Sequence, residues 1–103
     1  MKVKVFHANH PTFGMGEVQP KFPSEFTHVA DVNVEIDYEK RVTLIIDRAY
    51  HLTNSIDTHW SNNEDVTALT ENTRSSSVGD VFCIAGRYFK IEFCGHEEIE
   101  VPD

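Results

Sequence analysis

Six histidines and seventeen carboxylates are the first residues to weigh for chemistry. His7 and His10 form an H-x-x-H pair at the exit of a predicted strand. With His51, His59 and Asp57 they would make a metal site only if the fold drew three or four of them together. H-E-x-x-H, which places two histidines and a general base on one helical face, is absent. The expectation is therefore histidines on the surface or hydrogen-bonded in the core, with no metal and no cofactor. Ser75, Ser76 and Ser77 lack the G-x-S-x-G setting of a nucleophile elbow. Cys83 and Cys94 have no local electropositive setting to favour a thiolate, and no C-x-x-C occurs. No carboxylate pair stands out for acid–base work. Catalysis is not expected, and a metal-dependent enzyme built on His7, His10, His51 and His59 is the remote alternative.

Two stretches suit binding better. In Arg74–Ser77 a guanidinium, hydroxyls and turn N–H groups suit an anion such as phosphate. Against this, the serines would bond their own backbone and set the turn, while Arg74 pairs with a nearby acid. Gly79-Asp80 then opens the next strand through a bulge or tight bend. Trp60, with His59, Asn62 and Asn63 around it, is either an interaction hot spot or the largest core side chain; the sequence leaves both open. A nucleotide or nucleic-acid binder using Arg74–Ser77 and Trp60 is the first alternative to a protein binder.

Charge argues about partners. The net charge is −8, and no basic residue follows Lys90, whereas Glu92, Glu97, Glu98, Glu100 and Asp103 do. Duplex-binding proteins carry a basic patch, so nucleic acid is not an expected partner. An acidic surface keeps a small protein soluble; it would also dock on a basic partner surface or mimic nucleic acid. At 103 residues the chain is long enough for one domain, 1–103, with a modest core. No apolar run approaches the roughly 18 residues of a membrane span, and MKVKVFHANH shows neither a long apolar stretch nor a small-residue cleavage site. A cytoplasmic location is expected.

Something must position these residues, and the clearest framework is the closing stretch. Asp80–Ala85 and Tyr88–Cys94 are rich in aromatic and β-branched residues on either side of Gly86-Arg87, a pair suited to a type II′ hairpin. That register sets Ala85 opposite Tyr88, Ile84 opposite Phe89 and Phe82 opposite Ile91. One face is then Phe82, Ile84, Phe89, Ile91 and Phe93, expected in the core; the other, Val81, Cys83, Lys90, Glu92 and Cys94, is expected to be partly wet. Cys83 falls opposite Lys90 and Cys94 opposite Gly79, too far apart along the ladder for a disulfide. Two free thiols fit a reducing compartment.

Upstream, Lys2–Ala8 alternates as a strand, with Val3, Val5 and His7 on one side and Lys2, Lys4 and Phe6 on the other. Residues 9–26 lose periodicity around Pro11, Gly14, Gly16, Pro20 and Pro23. Phe13, Met15, Val18, Phe22 and Phe26 are strewn through them, which reads as an ordered loop laying its phenylalanines on the sheet, either for function or simply to plug the core. His28–Ile36 is a strand with Ala30, Val32, Val34 and Ile36 facing in. Asp37 is placed to cap a helix in which Tyr38, Val42, Ile45, Ala49 and Leu52 recur at helical spacing. The helix should end near Thr53-Asn54, with Asn54 taking a left-handed cap. Arg41–Ile46 is β-branched enough to be a strand instead, leaving a short helix at 47–53. Ser55–Asp65 is irregular, Val66–Leu69 could be a short strand, and an acidic exit follows the closing hairpin. The fold class is α+β: a small, mostly antiparallel sheet, one main helix packed on it, and a C-terminal β-hairpin over 80–94. Its exposed edge would allow a homo-oligomer.

Residues 49–66, AYHLTNSIDTHWSNNEDV, and residues 74–99, with R-S-S-S-V-G-D-V-F and Y-F-K-I-E-F-C-G-H-E-E-I, have a familiar pattern. The second resembles the end of the YodL-like domain, which has R-S-x-S-V-x-D-V and a hairpin followed by G-F-x-E-I/L. Together they resemble, more closely, small phage-encoded proteins that pair L-T-N-x-I-D…W with R-S-x-S-V-G-D-V. The positions that match are Thr53, Asn54, Ile56, Asp57, Trp60, Arg74, Ser75, Ser77, Val78, Gly79 and Asp80. His96 stands where the YodL-like pattern has Phe. The resemblance carries no catalytic residue with it. It implies a part in a virus–host or element–host contest. Joined with the small size, the net acidity and the lack of a catalytic signature, it leads to the expectation of a phage accessory protein that binds a host protein in a host-takeover or anti-defence role, in the host cytoplasm. The interaction candidates are Thr53, Asn54, Asp57, His59, Trp60, Arg74, Ser75, Ser77 and Asp80.

Overall fold

A computed structural model describes residues 2–12, 20–35, 42–54, 60, 64–70, 74–93 and 95–100. The elements are β1 (Lys2–Ala8), β2 (Phe26–Asn33), α1 (Val42–Leu52), β3 (Val66–Ala68), β4 (Val81–Ile84), β5 (Arg87–Glu92) and β6 (Gly95–Ile99). The strands form one sheet in the order β3-β2-β1-β4-β5-β6, and every neighbouring pair is antiparallel. With α1 this is the expected α+β class.

β1 is flanked by β2 and β4, so its inward residues Val3 and Val5 are fully buried and His7 is nearly so. β2 begins at Phe26, two residues before the predicted start. Ala30, Val32 and Val34 are buried as expected, and Ile36 lies outside the described residues. In α1, Ile45, Ile46, Ala49 and Leu52 form the buried stripe, a spacing of one helical face. They share one core with Val3, Val5, Phe82, Ile84, Phe89 and Trp60. Residues 42–46 are therefore helical despite their β-branched side chains; packing outweighs intrinsic propensity. Asp37, Tyr38 and Arg41 lie outside the described residues.

The helix ends differently from expectation. Asn54 is not left-handed; among the described non-glycine residues only Ala85 has a positive φ. Instead the Asn54 side-chain amide donates to the Tyr50 carbonyl, and the Thr53 backbone N–H and hydroxyl both donate to the Ala49 carbonyl. Side chains thus satisfy carbonyls that a helix C-terminus leaves bare.

The closing hairpin exists with its turn one place earlier. Ile84 faces Arg87, Cys83 faces Tyr88 and Phe82 faces Phe89. Ala85 and Gly86 are the turn, at φ 50° and 79°. Positive φ at both positions is the type I′ geometry, whose twist matches that of the strands, rather than type II′. The pairing moves by two residues, an even number, so the inward face is preserved: Phe82, Ile84, Phe89 and Ile91 are all buried. Phe93 is not. β5 ends at Glu92, and Phe93 stands in the following turn, 71% exposed. On the opposite face Val81 and Cys83 are buried rather than wet; their cross-strand partners Phe6 and Tyr88 join Phe22 in an aromatic group on that side of the sheet. Cys83 is a free thiol; Cys94 lies outside the described residues.

The predicted acidic exit is a strand. β6 pairs with β5 from Glu92↔Gly95 to Tyr88↔Ile99. The Arg87 guanidinium reaches Glu98 at 2.9 and 2.5 Å and lies over the Phe89 ring, whose edge meets His96 at 5.5 Å. On the sheet face away from α1, Phe22 contacts Phe6, Phe26 and Tyr88 with ring centroids 5.1–5.2 Å apart. One loop phenylalanine is thus laid on the sheet as expected; Phe13, Met15 and Val18 lie outside the described residues. No helix among the described residues is long and apolar enough to cross a membrane.

Candidate functional site

The sequence Ser77-Val78-Gly79-Asp80 closes a β-turn in which the Asp80 N–H donates to the Ser77 carbonyl at 3.1 Å. Gly79, third in the turn, has φ 92°, the conformation a type II turn demands there and glycine adopts without strain. Gly79 N–H donates to the Ile91 carbonyl, and Ile91 N–H donates to the Asp80 carbonyl. Two residues thus oppose one, with glycine first: a G1 bulge. Both expected features are present, a tight bend and a bulge. Their joint effect is to aim the Asp80 side chain inward at the mouth of β4.

There Asp80 is fully buried and fully occupied. Its Oδ1 accepts from Arg74 Nη2 at 2.7 Å and from the Ala8 N–H at 3.1 Å. Its Oδ2 accepts from Arg74 Nη1 and from the Ser77 N–H, both at 2.7 Å. Arg74 also donates to the carbonyls of Ser75 at 3.0 Å and Ala8 at 3.4 Å. A fork of parallel charge-assisted bonds with further backbone donors is the arrangement that offsets the burial of a carboxylate. Trp60 is buried beside it and donates its indole N–H to the Arg74 carbonyl at 2.9 Å.

A second polar chain joins β1 to the end of α1. His7 Nε2 lies 2.9 Å from Ser76 Oγ, which lies 2.7 Å from Thr53 Oγ1. Thr53 Oγ1 donates to the Ala49 carbonyl at 2.8 Å. A carbonyl only accepts, so the chain has one direction: His7 Nε2–H to Ser76, Ser76 to Thr53, Thr53 to Ala49. His7 is therefore the neutral Nε2–H tautomer. Its Nδ1 has no hydrogen-bond partner among the described residues, and a bare lone pair costs less there than a bare N–H. Burial pushes the His7 pKa down from 6.5 to about 4; the Asp80 carboxylate pulls upward and Arg74 pushes further down.

His7, Ser76 and Asp80 together invite comparison with a hydrolase triad, and the geometry excludes that role. Ser76 and Asp80 approach the same imidazole nitrogen, at 2.9 and 3.8 Å, whereas a triad needs them on opposite nitrogens. Ser76 is buried, and its proton path ends on a helix carbonyl.

Of the residues singled out in the sequence, the fold brings together Thr53, Trp60, Arg74, Ser75, Ser77 and Asp80. Asn54 stands just outside as the helix-end cap. Asp57 and His59 lie outside the described residues. Trp60 belongs to the core, so it is not a presented hot spot. Arg74 grips Asp80, the local pairing weighed against anion binding. Sequence reasoning missed His7 and Ser76 as members of this cluster. The signal for His7 was present: a polar residue on the inward face of β1 needs a buried partner. His10 and His51 are exposed, and no three histidine, cysteine or carboxylate side chains among the described residues converge as a metal site would require. Comparison with known protein families finds none that matches the chain, and comparison with curated proteins and with solved structures finds no match either.

Proposed function

We propose that the chain is a phage-type accessory protein that acts by binding a host protein, without catalysis. The observation that carries this reading is the inward commitment of the polar motif. Arg74, Asp80, Ser76, Thr53 and His7 are engaged with one another or with backbone, and Trp60 is engaged with Arg74. These residues serve as a clasp that holds a presenting surface in shape. The described surface is acidic and carries exposed Leu44, Leu69 and Phe93. The same commitment weighs against the nucleotide-binding alternative, which needs Arg74 and Trp60 turned outward.

The test is capture from host lysate at physiological salt, read by mass spectrometry and repeated with the purified candidate. An Asp80→Ala protein, whose clasp is broken, serves as the control. One host protein enriched by the wild type and bound again when pure is the expected result. No reproducible partner would overturn the reading.

A further inference from the structure

A cleft of about 230 Å³ lies between α1 and the turn joining β5 to β6. Ile46 and Ile91 line it, the rings of Tyr50 and Phe93 flank it, and Asp47 and Glu92 supply carboxylates. No basic residue is among its described lining residues. Asp47 is exposed and makes no ion pair among the described residues. The ion pair of Glu92 with Lys90 is long, at 3.6 Å, and about a third exposed on each side. Phe93 leaves 71% of its surface in water beside this cleft.

We propose that this cleft seats a lysine or arginine side chain from an extended segment of the protein's partner; the proposal rests on reading the chain as a protein binder. A cation on an alkyl stem matches each part of the lining. The stem packs on Ile46 and Ile91. The charged head meets the Tyr50 and Phe93 rings and the two carboxylates. An apolar side chain would desolvate those carboxylates without compensation, and an acidic one would be repelled. A second copy of this chain is a poor occupant, since its net charge of −8 sets like charge against like. An extended segment fits because Gly95, at the cleft, opens β6, the edge strand of the sheet. Edge backbone groups are a template for a further strand, whose alternate side chains enter neighbouring pockets.

The experiment titrates isotope-labelled wild-type protein with a short capped peptide holding one arginine between valines. The control peptide carries citrulline, the neutral isostere of arginine. The expected result is saturable amide shifts at residues 46–50 and 91–95 with a Kd of about 1 mM or tighter, weakened at least about tenfold by citrulline. Asp47→Asn/Glu92→Gln, substitutions at exposed or part-exposed positions, should weaken arginine binding similarly while leaving the spectrum folded. No saturable shifts, equal shifts with citrulline, or shifts spread over the acidic surface would each overturn the proposal. A failed titration beside a successful lysate capture removes the cleft and leaves the binder. A successful titration with no host partner does the reverse.

Discussion

The Arg74 guanidinium and the Asp80 carboxylate face each other through two parallel contacts of 2.7 Å, six residues apart in the chain. The fork closes the turn that leads into β4. Because Asp80 also accepts from the Ala8 N–H, it ties that turn to the end of β1. The R-S-S-S-V-G-D stretch thus works as a clasp. Arginine and aspartate lock it, glycine permits the bend, and the middle serine bonds to the end of α1.

Removing the carboxylate should be severe. Asp80→Ala strands a part-buried guanidinium and two backbone N–H groups, and loss of about 3–5 kcal/mol is expected. Arg74→Ala should cost a similar amount, because it leaves the fully buried Asp80 carboxylate with two N–H donors and no counter-charge. The double variant should lose less than the sum of the two. Urea unfolding of the four proteins gives the coupling; strict additivity would mean that the fork contributes nothing.

The serines are chemically alike and should behave differently. Ser76→Ala breaks the His7–Ser76–Thr53 chain and leaves His7 Nε2–H without its acceptor, at a cost of about 1–3 kcal/mol. Ser77 holds Asp80 through its backbone N–H, which alanine retains, so Ser77→Ala should stay within about 0.5 kcal/mol. Equal losses in chemical denaturation would contradict this division.

Much of the fold was legible from alternation. Val3, Val5, Ala30, Val32, Phe82 and Ile91 read as inward residues and are inward. What escaped lies where local pattern carries little information. Gly86 fits a hairpin either as the first turn residue of type II′ or the second of type I′; only strand twist selects the latter, with a non-glycine residue at positive φ. The sequence GHEEI has one β-branched residue and too much acid to look like a strand. Across its ladder with β5, Arg87 holds Glu98 and Glu97 stands opposite Lys90, so the acid of β6 meets base. The site was half legible. The turn, the bulge and the Arg74 pairing are local, whereas His7 meets Ser76 across 69 positions of chain, which no local pattern encodes.

The turn geometry makes two substitutions move stability in opposite directions. Ala85 is exposed and held at φ 50°, a conformation costing an L-residue about 1–2 kcal/mol. Asparagine tolerates it and completes the Asn-Gly pair that type I′ turns prefer, so Ala85→Asn should stabilise by about 0.5–1 kcal/mol. Gly79→Ala meets no atom within 4 Å yet must hold φ 92°, so its loss of about 1–2 kcal/mol is purely conformational. Thermal unfolding midpoints check both. A destabilising Ala85→Asn would place the turn elsewhere.

His7 makes the clasp sensitive to acid. Its pKa is about 4 when folded, because burial disfavours the imidazolium, and 6.5 when unfolded. Between these values the unfolded chain binds a proton that the folded chain refuses, so stability falls as pH drops from about 6.5 to 4. The full span corresponds to a loss on the order of 3 kcal/mol at 1.36 kcal/mol per pK unit. Above pH 6.5 both states are neutral at His7, and it contributes no slope. Carboxylates also titrate toward the acid end, so the informative quantity is the difference between wild type and His7→Gln. Glutamine retains a donor for Ser76 without the ionisation. Urea midpoints measured from pH 7.5 to 4 should diverge, the wild type losing stability faster from about pH 6.5 downward. Parallel curves would mean that His7 titrates alike in both states and that its burial is not maintained in solution.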